Sequence, residues 1–154
     1  MKPVIITNKI VGETLHFLQD GGRRQKETVV LWLGVRDDDA ITVKQVYRPD
    51  QIAGPDMFHI PPPSMRQLLL DLGEKKLMIA AQVHSHPQQA FHSRADDVWA
   101  IVRHVDALSL VLPYFGLKTD SAGFFRDMKA FRLTPENQWL ELIGSEVQKC
   151  INLQ

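Results

Sequence analysis

The stretch Gln82-Val83-His84-Ser85-His86-Pro87-Gln88-Gln89-Ala90-Phe91-His92-Ser93-Arg94-Ala95-Asp96-Asp97 decides how the chain is read. It follows an apolar run, Leu77-Met78-Ile79-Ala80-Ala81, which predicts a buried strand. It leads into Val98-Trp99-Ala100-Ile101-Val102, which reads as a helix running to about His104. Residues two apart on a strand point to one face, so His84 and His86 aim their imidazoles at a common point while Ser85 faces away. Pro87 has no N–H and takes the chain out of the sheet. Ser93 is a good helix N-cap, and Asp96 falls in the first turn, where the helix dipole favours a carboxylate. Two histidines and one carboxylate on such elements supply three ligands of a catalytic zinc site and leave a fourth position for water. Taken alone, His-x-His is as readily an ordinary strand end. Its combination with Pro, and with Ser-x-x-Asp at a helix start, is far more specific.

Working outward, Met1 to Ile6 reads as a short strand or arm. Thr7 or Asn8 caps a helix with the stripe Ile10, Val11, Thr14, Leu15 and Leu18, which Gly21-Gly22 ends. His16, on that helix, reads as packing or surface. Glu27-Thr28-Val29-Val30-Leu31-Trp32-Leu33-Gly34 is a β-branched and aromatic run, hence a strand opened by a carboxylate. Asp37-Asp38-Asp39 is a charged turn without the spacing of a calcium loop. Residues 41–47 form a second strand in a hairpin with the first. The connection 48–63 is long and contains His59, read as a surface residue. Ser64 to Lys75 is a helix with Met65, Leu68, Leu69 and Leu72 as its core stripe. Residues 107–113 form another buried strand. Gly123-Phe124-Phe125, Lys129–Leu133 and Trp139–Leu142 suggest further antiparallel strands.

A chain of 154 residues, with 18 basic and 18 acidic side chains, reads as one domain spanning 1–154, and its neutral charge leaves no footprint for nucleic acid. A single cysteine, Cys150, excludes an internal disulfide and a cysteine-rich zinc site. No stretch reads as a signal peptide or a membrane span, and the expected location is the cytoplasm.

The pattern His84-Ser85-His86-Pro87, then Ser93-Arg94-Ala95-Asp96, resembles the JAMM signature of the JAB/MPN metallopeptidases, His-x-His-Pro followed by Ser-x-x-Asp. The resemblance covers roughly residues 7 to 143, and its specific part is the metal stretch. It implies an α/β chain of α+β type, the MPN/JAB cytidine-deaminase-like fold: a curved, mixed, mostly antiparallel sheet flanked by helices. It implies that His84, His86 and Asp96 hold zinc, that Glu27 is the general base and that Ser93 helps stabilise the oxyanion. The family carries its base in Glu-x-x-Gly-x-x-x-Gly. Glu27 and Gly34 match, with Val30 in place of the first Gly. The loop from His86 to Ser93 is one residue shorter than in the eukaryotic deubiquitinases. Asp97 restores their His-to-Asp distance, whereas Asp96 keeps Ser-x-x-Asp. Adjacent helical residues point about 100° apart, so one of the two faces the metal. A loop absorbs a deletion more easily than a helix start, which favours Asp96.

Two segments narrow the resemblance: Ala90-Phe91-His92-Ser93 with Asp96-Asp97, and Leu108-Ser109-Leu110-Val111-Leu112-Pro113-Tyr114-Phe115-Gly116. They look like the JAB proteins of bacterial operons that also encode E1-like and E2-like enzymes, some of them antiphage systems. Phe91 is then a hydrophobic wall, and His92 either a loop residue or a partner of the ligands. The implied activity is zinc-dependent hydrolysis of an amide or isopeptide bond at the C-terminus of a ubiquitin-like protein, a deubiquitinase-like deconjugation. The alternatives are maturation of a ubiquitin-like or sulfur-carrier precursor, and a non-catalytic MPN scaffold, a class that normally loses metal ligands.

Overall fold

The computed structural model describes residues 1–93, 96 and 100–154. Strand β1 (Val4–Ile6) leads into helix α1 (Asn8–Gly22). Thr7 is the N-cap, its Oγ1 accepting the Ile10 N–H at 3.4 Å. The expected stripe Ile10, Val11, Thr14, Leu15 and Leu18 is buried. The glycine pair forms the end of the helix without capping it, and Arg23 is the C-cap. A Cβ on Gly21 would lie 1.9 Å from Thr28 Oγ1, and one on Gly22 would lie 2.7 Å from Phe115 Cβ. These glycines allow close approach, and the left-handed residue that turns the chain is Gln25, with φ 55°.

Strands β2 (Val29–Arg36) and β3 (Ile41–Tyr47) form the expected hairpin. The turn is tied by Asp37 Oδ1, which accepts the N–H groups of Asp39 and Ala40. The long connection holds a small antiparallel ribbon, β4 (Ile52–Ala53) and β5 (Phe58–His59). Helix α2 (Pro62–Lys75), strand β6 (Met78–Ser85) and strand β7 (Leu108–Leu112) follow. After a 3₁₀ turn at Tyr114–Gly116 come α3 (Phe124–Asp127), β8 (Lys129–Leu133), β9 (Trp139–Leu142), α4 (Ser145–Cys150) and β10 (Ile151–Leu153).

Eight strands make one sheet in the order β10-β1-β3-β2-β6-β7-β8-β9. The pairs β10–β1, β1–β3 and β6–β7 are parallel, and the other four are antiparallel. The two edge strands, β9 and β10, line one groove, so the sheet is curled. This is the α+β architecture expected of the MPN/JAB fold. Alternation along β2 builds the core on both faces. Val30 and Trp32 pack with the α1 stripe, and Val29, Leu31 and Leu33 pack with Leu68 of α2. His84 is next to Val83, which faces α1, and its ring lies against Phe58 on the α2 side. The far end of β6 therefore presents His84 against Phe58 of the β4–β5 ribbon.

Several expectations fail here. Leu69 of the α2 stripe is 61% exposed. The helix seats only the face of Met65, Leu68 and Leu72, and one further residue is rotated about 100° away from Leu68. Phe124 and Phe125 open helix α3 instead of a strand, with Phe124 buried beside Trp32. Residues 100–104 are not helical. The N–H groups of Ile101 and Val102 turn instead to Gln82 Oε1 at 2.8 and 3.4 Å. The segment after residue 143, which carries no strong pattern, supplies β10, whose Ile151 is paired with Val4.

Thr14 fastens α1 to the sheet. Its Oγ1 accepts the buried Trp32 indole N–H at 2.9 Å and donates to the Ile10 carbonyl. Thr14→Val keeps the shape and strands the indole N–H in an apolar core, which costs about 1–3 kcal/mol. Urea denaturation should show the unfolding free energy falling by that amount, through a lower midpoint with the m-value unchanged.

Candidate metal centre

The site is assembled from three backbone segments that fix one another. β6 lies between β2 and β7, with His84 opposite Val29 on one side and Val111 on the other. Ser85 faces away from the histidines, as alternation requires, and it grips Thr28 twice. Its N–H donates to the Thr28 carbonyl at 3.0 Å, and its Oγ accepts the Thr28 N–H at 3.0 Å. Glu27 is the next residue back, and its own N–H donates to Gly54 of the long connection at 2.7 Å. Gln51 completes the clamp: its side-chain amide donates to the Val29 carbonyl and accepts the Val29 N–H.

His86 is held just as closely. Its N–H donates to Leu112 at 2.8 Å, and its carbonyl accepts the Phe115 N–H at 2.7 Å. The Tyr114 N–H donates to Gln88 in the following loop. Tyr114 and Phe115 both have positive φ, 54° and 57°. Ser93 and Asp96 form a reciprocal cap, with the Asp96 N–H donating to Ser93 Oγ at 3.0 Å and the Ser93 N–H donating to Asp96 Oδ2 at 2.7 Å. Residues 94, 95 and 97–99 lie outside the described residues, and with them the Asp97 alternative and most of the predicted helix.

Four predicted residues converge. His84 Nε2 and His86 Nε2 are 3.2 Å apart. Asp96 Oδ2 is 3.3 Å from the first and 3.2 Å from the second. Glu27 Oε1 is 3.8 Å from His86 Nε2, and the ligating atoms of all four residues lie within 4.8 Å of one another. A tetrahedral ion ~2.0–2.2 Å from nitrogen and oxygen ligands keeps those ligands about 3.3–3.6 Å apart. The observed triangle has nearly that edge, so these residues fit a metal ion without rearrangement. Ser93 stands at the rim, joined to the ligand triangle through Asp96.

The two carboxylates are in opposite states. Burial pushes the Glu27 carboxyl up to about 7; His86 pulls it down, and the charge of Asp96 raises it. Burial also opposes the charge of Asp96, but hydrogen bonds from His84 and His86 outweigh it and hold this carboxyl well below the usual range. Burial draws the His84 imidazole down, towards the neutral form that binds metals. Its Nδ1 is buried without a hydrogen-bond partner among the described residues, and the Phe58 ring covers the imidazole at 5.7 Å. The aromatic edge of Phe91 meets His86 at 4.5 Å.

The other candidates stand apart from the centre. His16 and His59 are exposed, as expected. The sequence reading missed Gln51 and Phe58 of the long connection, and the buried pair Gln82 and Ser109. A Gln in the middle of an apolar strand was the available signal for the last two.

Comparison with known proteins adds a second line. The chain is 27% identical over 157 residues to a Sinorhizobium fredii protein named probable metalloprotease y4jG, covering 99% of this chain and 95% of that one. Together with the donor set, this similarity supports a metalloprotease. The solution structure of protein DSY2949 from Desulfitobacterium hafniense is similar in fold, with a TM-score of 0.67 at 20% identity over 98% of this chain and 92% of that one. No family model matches the chain. No helix among the described residues is long and apolar enough to cross a membrane.

The geometry of this candidate metal centre leads to two tests. Purified protein should hold about one divalent ion per chain by elemental analysis. Replacing both His84 and His86 with Ala should remove it, as should Asp96→Ala, whereas Asp97→Ala should retain most of it. The second concerns the metal-free protein. A folded-state carboxyl near 7, against an unfolded value near 4.5, binds extra protons between those limits. The stability it contributes is complete below about pH 4.5 and is lost as pH rises to about 7. Glu27→Gln has no such loss, so at pH 8 the metal-free variant should exceed wild type by up to about 3 kcal/mol, with the gap narrowing to under about 1 kcal/mol by pH 5. Denaturation of both proteins across this range measures it, and a gap that does not change with pH would refute the raised carboxyl.

Proposed function

We propose that the protein is a JAMM-type zinc metallopeptidase, acting in the cytoplasm on a ubiquitin-like protein. Its reaction is hydrolysis of the amide or isopeptide bond at the C-terminus of that protein, a deubiquitinase-like deconjugation. The observation that carries the reading is the triangle of His84, His86 and Asp96 with a protonatable Glu27 beside it. Two imidazoles and one carboxylate at tetrahedral spacing suit zinc, and they leave a position for a reacting group. The substrate class is supported by the segments at 90–97 and 108–116, which are similar to JAB proteins encoded beside E1-like and E2-like enzymes. Those enzymes and the ubiquitin-like protein are the partners this reading implies, and antiphage defence is a setting consistent with it.

When bound, zinc supplies a Lewis acid that makes water a nucleophile near neutral pH and polarises a carbonyl. Every other part of the chemistry falls to the chain. Glu27 accepts the proton of the attacking water and delivers it to the leaving nitrogen, a task that suits a carboxyl poised near the working pH. Ser93 Oγ already accepts the Asp96 N–H, which leaves its own proton for the oxygen of the scissile carbonyl. Asp96, held ionised, keeps both histidines oriented. Phe91, 53% exposed and set against His86, offers an apolar wall to an extended chain entering the site. No acyl-enzyme is required, and the buried Cys150 takes no part.

The test is incubation with the ubiquitin-like protein and conjugates of the same operon, with and without chelator. Cleavage should stop on chelation and return with zinc. Glu27→Gln should keep its zinc and lower turnover by ~10²–10⁴. Cleavage that survives complete metal removal, or a Glu27→Gln protein of normal turnover, would end the proposal. Processing of the free precursor alone, with conjugates left intact, would select maturation instead of deconjugation.

A further inference from the structure

His92 is left unused by the chemistry above, yet it touches side chains of four strands, β6, β7, β8 and β9. Its ring lies between Phe131 of β8 and Trp139 of β9, at centroid distances of 5.0 and 5.1 Å. It meets the ring of His84 nearly edge-on at 6.2 Å. Its Nε2 is 3.0 Å from Ser109 Oγ of β7. Ser109 in turn is 3.0 Å from Gln82 Nε2 on β6, and both residues are fully buried. The backbone fixes the orientation of the Gln82 amide. Gln82 Oε1 receives the N–H groups of Ile101 and Val102, so its amide nitrogen must face Ser109 and donate. Ser109 Oγ accepts that bond and is joined by a hydrogen bond to His92 Nε2.

The next residue is Ser93, whose N–H donates to the same Asp96 oxygen that closes the ligand triangle. The chain of contacts therefore runs from the core of the sheet, through His92, to both a ligand and the proposed oxyanion donor. We infer that His92, anchored by the Gln82–Ser109 relay, is the positioning residue that holds Ser93, and through it Asp96, in register with His84 and His86. This rests on the reading of those residues as a metal centre. An orienting partner of this kind is worth about 10- to 100-fold in metal affinity. The cost of a buried polar pair inside β6 and β7 is then offset by placing a loop that no strand carries.

The experiment uses full-length protein and measures Co²⁺ and Zn²⁺ affinity, the visible d–d spectrum of the Co²⁺ form, and melting of the metal-free protein. His92→Phe keeps an aromatic ring against Phe131 and Trp139 but cannot hydrogen-bond Ser109. Metal affinity should fall about 10- to 100-fold and the Co²⁺ spectrum should change, while metal-free melting stays within about 2 °C of wild type. Ser109→Ala should weaken metal binding similarly, and the double variant no more than either single change, because both cut one relay. His92→Gln, which reaches about as far and can make the same hydrogen bond, should restore most of the affinity and the wild-type spectrum.

Wild-type affinity and spectrum in His92→Phe would overturn the inference, while loss of metal in the His84, His86 double variant would still uphold the metal centre. Affinity that falls only in step with metal-free melting, with no recovery in His92→Gln, would reduce His92 to a packing residue. A wild-type protein that binds no metal at all would overturn both readings. If His92→Phe fails to fold, the decision passes to His92→Gln against His92→Ala: recovery in the first alone upholds the relay, and equal affinity in the two refutes it.

Discussion

Ser85 and Thr28 exchange two hydrogen bonds across the β2–β6 boundary, one through the backbone and one through the serine hydroxyl. Ser85 stands between the two histidines, and Thr28 follows Glu27. This contact therefore sets how far Glu27 lies from His84 and His86. Everything nearby is arranged to permit it. Gly21 clears space for Thr28, Gln51 fixes Val29, and the Gly54 carbonyl holds the N–H of Glu27. The alternation that sends His84 and His86 to one face sends Ser85 to the other, so the same three residues serve both the metal centre and its attachment.

Two buried carboxylates within one cluster ordinarily compete for a single proton. Here the environment separates them. Asp96 receives hydrogen bonds from two imidazoles and a backbone N–H, whereas Glu27 faces mainly burial and the negative charge of Asp96. The fold thereby keeps one carboxylate charged and leaves the other able to take up a proton near neutral pH. A bound cation beside Glu27 would draw its carboxyl down again, leaving it ionised and ready to accept.

The sequence reading reached the centre because its signal is local. His84 and His86 are two apart on a strand, Ser93 and Asp96 are three apart at a cap, and such spacings fix relative direction without knowledge of the rest. Glu27 was legible only through family resemblance, since a carboxylate before a strand looks the same whether it faces solvent or a neighbouring strand. What stayed hidden depends on long-range pairing. Ile151 reaches Val4, Gln82 meets Ser109, and Phe58 crosses to His84, each over a separation that no periodicity records. Leu69 failed for a simpler reason: a stripe read from sequence is wider than the surface that the sheet offers α2.

The turn at Tyr114 and Phe115 has a mechanical meaning. Two consecutive non-glycine residues in the left-handed region cost roughly 1–2 kcal/mol each. Glycine at both positions would lower that cost, but it would also remove the side chains that pin the turn: the Tyr114 ring beneath Lys118, and Phe115 against Gly22. A backbone forced into a narrow well by its own side chains has few neighbouring conformations to visit. Because the Phe115 N–H holds the His86 carbonyl, that narrowness passes directly to a ligand. The turn acts as a stiff spring under load, exchanging a little stability for a smaller thermal displacement of the imidazole it supports.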